Sequence, residues 1–190
     1  MHHDLFGTPP PGESVTHNVF FALMPDDATR NGMARVVEAL RARHALQGRW
    51  LKPERYHMTL HFLGAYSELP RELIDATCMA AERVQLPAFD LVLDRAGHFP
   101  KGIGWLGSAQ PEGPLVRLWD ELRRQLAHAR VGVRGHAAFK PHVTVLRDAR
   151  GTLPAEPIEP LAWPVRDFVL VDSLLGERNE YRALGRWALQ

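Results

Sequence analysis

The sequence predicts an α+β fold, with three helices packed outside an antiparallel sheet. Three observations carry this: the apolar period switches repeatedly between that of a strand and that of a helix, short turns join several of the strand-like stretches, and no linker interrupts the chain. At 190 residues the chain suits one domain, or two small lobes sharing a core.

Val15 to Met24 is a short apolar run stopped by Pro25 and reads as a buried strand. Asp26 or Asp27 then caps a helix in which Met33, Val36, Val37 and Leu40 recur at helical spacing until Gly48. From Tyr56 to Leu63 the period drops to two, with His57, Thr59 and His61 alternating with Met58, Leu60 and Phe62, so a strand with one polar face is expected. Ser67 opens a second helix striped by Leu69, Leu73, Ala76, Ala80 and Val84 and ended before Pro87. Phe89 to Ala96 and Gly102 to Leu106 read as an antiparallel pair around Pro100-Lys101-Gly102. Pro114 starts a third helix, carrying Leu115, Leu118, Trp119, Leu122 and Leu126 through Ala129. Phe139 to Leu146 is a further strand, entered through Pro141. The prolines between Gly151 and Pro164 predict an irregular stretch. Asp167 to Leu174 and Tyr181 to Leu189 close the chain as a hairpin around Gly176-Glu177-Arg178-Asn179. About seven strands result. Residues 1–16, with three consecutive prolines and no apolar core, read as a flexible leader, and 17–190 as a single domain.

Composition narrows the chemistry. Hydrophobic residues make up 45% and charged residues 24%, a balance that excludes a disordered tail, and no apolar run reaches bilayer length, so a cytoplasmic location is expected. The single cysteine, Cys78, excludes a disulfide framework and a multi-cysteine zinc site; in mid-helix, without a neighbouring His or Lys, it reads as inert packing. The formal charge of +1 gives no case for nucleic acid, although Arg117, Arg123, Arg124, Arg130, Arg134, Lys140, Arg147 and Arg150 cluster in one stretch. That excess suits a phosphate backbone or a solvated arginine-rich face.

His57-Met58-Thr59-Leu60 and His142-Val143-Thr144-Val145 are two copies of His-x-Thr-hydrophobic on separate predicted strands. Strand alternation sends each His and its Thr to one face and the intervening apolar residues to the other. If the two strands lie side by side, two imidazoles and two hydroxyls converge. In-line displacement at phosphorus needs a base on one side and an acid on the other, and imidazole titrates where it can serve as either. The hydroxyls can donate to the non-bridging oxygens, where charge is held in the transition state. Neither a metal nor another cofactor is needed. A zinc reading of His57 and His61 fails, because that spacing requires a helix and a nearby acid.

These blocks carry a resemblance. Trp50-Leu51-Lys52-Pro53 leading to His57-Met58-Thr59-Leu60-His61-Phe62-Leu63-Gly64, and Phe139-Lys140-Pro141-His142-Val143-Thr144-Val145 with Arg147, resemble the two blocks of the two-histidine phosphoesterase superfamily. Within it the chain is similar to the bacterial RNA 2′,3′-cyclic phosphodiesterases, also described as 2′-5′ RNA ligases. Phe20-Phe21-Ala22 and the closing Tyr181, Leu184 and Trp187 extend the likeness from Asn18 to Leu189. The resemblance implies a bilobal, pseudo-twofold fold of antiparallel sheets with a cleft between lobes. It also implies a 2′-phosphate product, His57 as proton donor and His142 as proton acceptor. Leu146, where a small residue is common, and His61, where lysine is frequent, depart from the family pattern.

Thr59 and Thr144 are therefore the expected phosphate-binding residues, and His61, Lys140 and Arg147 are candidates for substrate contact. His61 reads either as a cleft-rim contact or as a half-exposed strand histidine. Tyr56, Phe99, Trp105 and Phe139 can stack a base or pack the core. The expected partner is an RNA end or nucleotide bearing a 2′,3′-cyclic phosphate. No obligate protein partner is evident, so a monomer is expected. The competing readings are a 2′-5′ ligase, a phosphodiesterase for 2′-5′ oligonucleotides or small cyclic nucleotides, and a non-catalytic RNA-end binding module. A module tolerates loss of an imidazole, and this chain keeps both.

Overall fold

The computed structural model describes residues 16–110, 113–134, 138–175 and 180–190. Residues 1–15 of the expected leader and the expected turn Gly176-Glu177-Arg178-Asn179 lie outside the described residues. Thr16 already belongs to the first strand.

Among the described residues nine strands and three α-helices run in the order β1 (Thr16–Leu23), α1 (Asp27–His44), β2 (Gln47–Trp50), β3 (Met58–Tyr66), α2 (Arg71–Ala81), β4 (Phe89–Phe99), β5 (Ile103–Gly107), α3 (Gly113–His128), β6 (Val143–Arg150), β7 (Glu156–Val165), β8 (Asp167–Leu175) and β9 (Tyr181–Ala188). All pairings are antiparallel, in the order β7-β4-β5-β6-β3-β1-β8-β9, with β2 alongside β6. Two four-stranded halves, β9-β8-β1-β3 and β6-β5-β4-β7, thus meet at their inner strands. The join is one residue pair, Met58 opposite Val143. This is the expected pseudo-twofold arrangement, with a His-x-Thr motif at the inner strand of each half.

The helices lie on one side of the sheet. Met33, Val37 and Leu40 of α1, Ala80 and Ala81 of α2, and Leu115, Leu118, Leu122 and Leu126 of α3 share one buried cluster with Met58, Leu60, Val143, Val145 and Leu170 of the strands. Each large aliphatic side chain so buried contributes about 1.5–3 kcal/mol. A second, smaller cluster of Phe20, Ala22, Val169 and Val171, joined by Phe62 and Tyr181, occupies the opposite, helix-free face. Among the described residues no helix is long and apolar enough to cross a membrane.

Local chemistry explains the element ends. Asp26 caps α1 by accepting from the Thr29 backbone N–H at 2.8 Å, and that bond holds its carboxyl below the usual range. α1 stops at Ala45, which takes a left-handed conformation with φ of 46°. α2 begins at Arg71 and not at Ser67, because Pro70 excludes helical backbone from the residue before it.

Two strands depart from expectation. The stretch expected to be irregular holds β7, and its Pro157, Pro160 and Pro164 are accommodated because, among the described residues, β7 is an edge strand paired only with β4. Pro160 falls where the register slips between Leu161 and Pro157. β2 is four residues of polar sequence, without alternation to announce it; Trp50 alone anchors it to the core.

Candidate active site

His57 and His142 occupy matching positions, each the residue just before its strand. The strands therefore begin later than the sequence pattern suggests. In each case Nδ1–H turns back to donate to the carbonyl two residues upstream, at 2.9 Å to Arg55 and 2.7 Å to Lys140. A carbonyl only accepts, so the proton of each neutral ring is fixed on Nδ1 and Nε2 is left with its lone pair.

Met58 and Val143 face each other and are 1% and 0% exposed, so the flanking residues point to the helix-free face. Extending this antiparallel register by one residue in either direction sets His57 against Thr144 and Thr59 against His142. On that register the motifs are crossed, with each imidazole falling opposite the hydroxyl of the other half. All four side chains are half-buried.

Both strands then bulge at the same place. Phe21 pairs with His61 and Ala22 with Thr59, leaving Leu60 as the extra residue; Gly104 pairs with Leu146 and Trp105 with Thr144, leaving Val145 as the extra residue. Two successive side chains consequently enter the core in each strand, Leu60 and His61 in β3, Val145 and Leu146 in β6. The expectation that His61 shares the face of His57 and Thr59 is therefore corrected. His61 is 2% exposed, stacks on Trp119 at 4.9 Å and donates from Nε2 to the Trp119 carbonyl at 2.8 Å. Trp119 returns a bond from Nε1 to the Leu60 carbonyl at 2.9 Å, so α3 is clipped onto the bulge. His61 and Leu146, the two departures from the family pattern, hold equivalent core positions. The residue after each bulge, Phe62 and Arg147, turns back to the cleft.

The His57 ring is boxed by aromatics. It stacks on Phe20 at 5.1 Å and meets Tyr181 edge-on at 5.2 Å; Tyr181 Oη also lies 3.3 Å from Nδ1. The Arg55 guanidinium caps the Tyr181 ring, 3.7 Å from its centroid. On the other side Phe99 meets the His142 ring edge-on at 4.9 Å and stacks on Trp105 at 5.3 Å. Trp105 lies over Gly97, where a Cβ would overlap the indole. Tyr56 is buried in the core and Phe139 stacks on Trp119, so of the four candidates for base stacking Phe99 is the one in ring contact with a motif histidine, and Trp105 stands behind it.

Electrostatics follow from this packing. Burial pushes His57 down to about 4, against the opposing pull of the Arg55 carbonyl and with help from the charges of Arg55, Arg147 and His142. Burial likewise lowers His142, again against its carbonyl bond and with help from Arg147. Lys140 contributes its backbone to the site while its side chain is exposed. Burial raises the thiol of Cys78, which packs against the core. Tyr181, Phe20 and Arg55 had no periodic signal of their own, because they reach His57 from β9, β1 and the turn before β3. Among the described residues, no three His, Cys, Asp or Glu side chains group as a metal site.

A sheet with helices on one face and a duplicated His-Thr pair on the other is the two-histidine phosphoesterase architecture. A sequence model of the 2′-5′ RNA ligase superfamily matches residues 25–177, and the chain belongs to that family. It is 36% identical over 146 residues to the RNA 2′,3′-cyclic phosphodiesterase of Escherichia coli, covering 75% of this chain and 80% of that one. The Thermotoga maritima protein of the same name is 28% identical over 134 residues, covering 67% and 68%. In three dimensions the chain is similar to E. coli LigT crystallised with 3′-AMP, with a TM-score of 0.72 at 32% identity over 93% of this chain and 99% of that one.

Proposed function

We propose that this chain hydrolyses the 2′,3′-cyclic phosphate at an RNA end to a 2′-phosphate, with His57 as acid and His142 as base. The observation that carries the reading is the pairing of Met58 with Val143, whose register, extended by one residue each way, supports one Nε2 and one hydroxyl on each side of a single phosphorus position. His142 Nε2 takes a proton from water as the water oxygen bonds to phosphorus. The bond from phosphorus to O3′ breaks, and O3′ takes the proton from His57 Nε2. Thr59 and Thr144 donate to the non-bridging oxygens. The nucleotide bound by LigT and the names of the relatives support RNA as the substrate class.

The tautomers support this division of labour. With both Nδ1–H groups held by carbonyls, the two Nε2 atoms are the only ring nitrogens free to exchange protons with substrate. The depressed values of both rings support a site that carries one proton only when an anion is bound. Because one chain supplies all four side chains, a monomer suffices, and an RNA substrate suits a cytoplasmic location. No step routes through a metal.

Replacing O3′ by sulfur tests the assignment, since a thiolate leaves without a proton. The sulfur analogue is expected to restore turnover in His57→Ala and leave His142→Ala inactive. Rescue of His142→Ala alone reverses the two roles, and rescue of neither refutes acid catalysis by this pair.

A further inference from the structure

The two halves of the sheet carry the same His-Thr pair but differ in what lies beside it. Outward from Thr59 the paired residues run to Ala22 on β1, Val169 on β8 and Arg186 on β9. Outward from Thr144 they run to Trp105 on β5 and Gly97 on β4. Directly paired residues share a face of the sheet, so both rows lie on the cleft side. The second row is filled, because the Trp105 indole lies over Gly97 in the space that a Cβ would take. The first row holds only a methyl and an isopropyl group before the guanidinium of Arg186, about 14 Å from Thr59 at ~4.8 Å per strand.

A cavity of about 350 Å³ continues this low side, at the small end of the range for ligand sites. Val169 and Val171 form its buried floor, and the exposed Ala183 and Arg186 form its wall on β9. Tyr181, whose ring meets His57 edge-on at 5.2 Å, is the wall it shares with the catalytic site. The charges around the cavity come in pairs. Arg186 donates to Asp167 at 2.7 Å, Arg166 to Asp90 at 2.8 Å, and Arg30 to Asp27. The Thr29 N–H first holds the Asp26 carboxyl low; burial opposes it, and the charges of Arg30 and Arg166 add to it. A phosphate needs positive charge that no carboxylate has met. The edge of a nucleobase is neutral and sets donors beside acceptors, which an Arg-Asp pair offers together. An apolar floor suits its flat ring.

We propose that this cavity takes a nucleobase of the RNA end, so that the nucleoside lies over β1, β8 and β9 on the His57 side of phosphorus and the attacking water enters on the His142 side. The inference rests on the reading of the His-Thr pairs given above and adds the direction in which the substrate lies. Two equivalent His-Thr pairs do not by themselves tell acid from base. The unequal rows beside them do, because the departing O3′ belongs to the nucleoside, and a nucleoside over β1 and β8 brings that oxygen to His57.

The test compares kcat/KM for a dinucleotide ending in a 2′,3′-cyclic phosphate with two analogues, one abasic at the terminal ribose and one abasic at the preceding ribose. Loss of the base that the cavity holds is expected to slow the reaction about tenfold or more, the effect of removing a base from an aromatic-walled site. The abasic position that matters names that base. Ala183→Trp fills the cavity from an exposed position on β9 and is expected to bring the ratio of intact to abasic rates close to one. Arg186→Gln, which removes one hydrogen-bonding wall and no packing in the core, is expected to lower the ratio part of the way. Trp105→Ala, on the opposite half, is expected to keep the parental ratio. Equal rates for all three substrates, a ratio unchanged in both Ala183→Trp and Arg186→Gln, or a ratio lost in Trp105→Ala, overturn the proposal. Equilibrium binding of the same compounds separates the failures. Base-dependent binding that Ala183→Trp abolishes, with no compound ever cleaved, leaves the base site standing and refutes the catalytic reading. Cleavage of all three at one rate does the reverse.

Discussion

The pH dependence of the reaction follows from the packing of the two imidazoles. Turnover requires one proton on the His57 and His142 pair, whichever ring holds it. Burial depresses both rings, His57 to about 4, and the charges of Arg147 and of each other oppose a second proton. In the free enzyme the upper of the two apparent values therefore lies below the usual 6.5 of histidine. Above it, the singly protonated pair declines about tenfold for each pH unit, so kcat/KM is expected to fall about tenfold between pH 7 and 8. Bound substrate changes this. One negative charge about 5 Å from an imidazolium, at an effective dielectric of about 20, is worth about 3 kcal/mol. That moves the alkaline limb of kcat upward by about two pH units. The assay is a pair of profiles, kcat/KM and kcat, between pH 4.5 and 9 at constant ionic strength. Coincident alkaline limbs, or a kcat/KM that stays flat from pH 5 to 8, would refute the reasoning.

Other consequences are separable. Thr59→Val and Thr144→Val keep shape and strand preference but remove a donor to phosphate, so each is expected to lower kcat by about 10²- to 10³-fold with little change in melting temperature. His61→Met leaves the Trp119 carbonyl unsatisfied beneath α3 and is expected to cost about 1–3 kcal/mol in denaturant titration, while activity per folded molecule stays within a few-fold of the parent. A comparable fall in activity would return His61 to the cleft. The neutral preference of folded His57 means that the unfolded chain takes up this proton first as pH falls from 6.5 towards 4. Stability present above that window is lost within it, by about 3 kcal/mol at most. His57→Gln should therefore resist acid unfolding better than the parent, as read from urea titrations at pH 7 and pH 4.5.

Much of this was legible in the sequence because strand alternation is a local rule. Met58 and Val143 had to face inward, and His57, Thr59, His142 and Thr144 outward, once two strands were granted. The rule failed one residue later. The bulges at Leu60 and Val145 insert a residue against β1 and β5, and a pattern read along one strand cannot register what its neighbour does. His61 was misplaced for that reason and Arg147 was left ambiguous. The edge position of β7 is likewise a property of the whole sheet, so its prolines argued against a strand that the edge allows. Gly48 and Arg49 gave β2 no alternation to detect. The Tyr181 contact with His57 depends on three intervening strand pairings.

The most direct test is to incubate an RNA ending in a 2′,3′-cyclic phosphate with the parent protein, His57→Ala and His142→Ala, all with excess chelator, and to follow the phosphorus by NMR. The parent is expected to convert the cyclic resonance to a 2′-phosphate alone, and each variant to leave it unchanged. A 3′-phosphate product, a metal requirement, or full conversion by either variant would contradict two-histidine catalysis at this site.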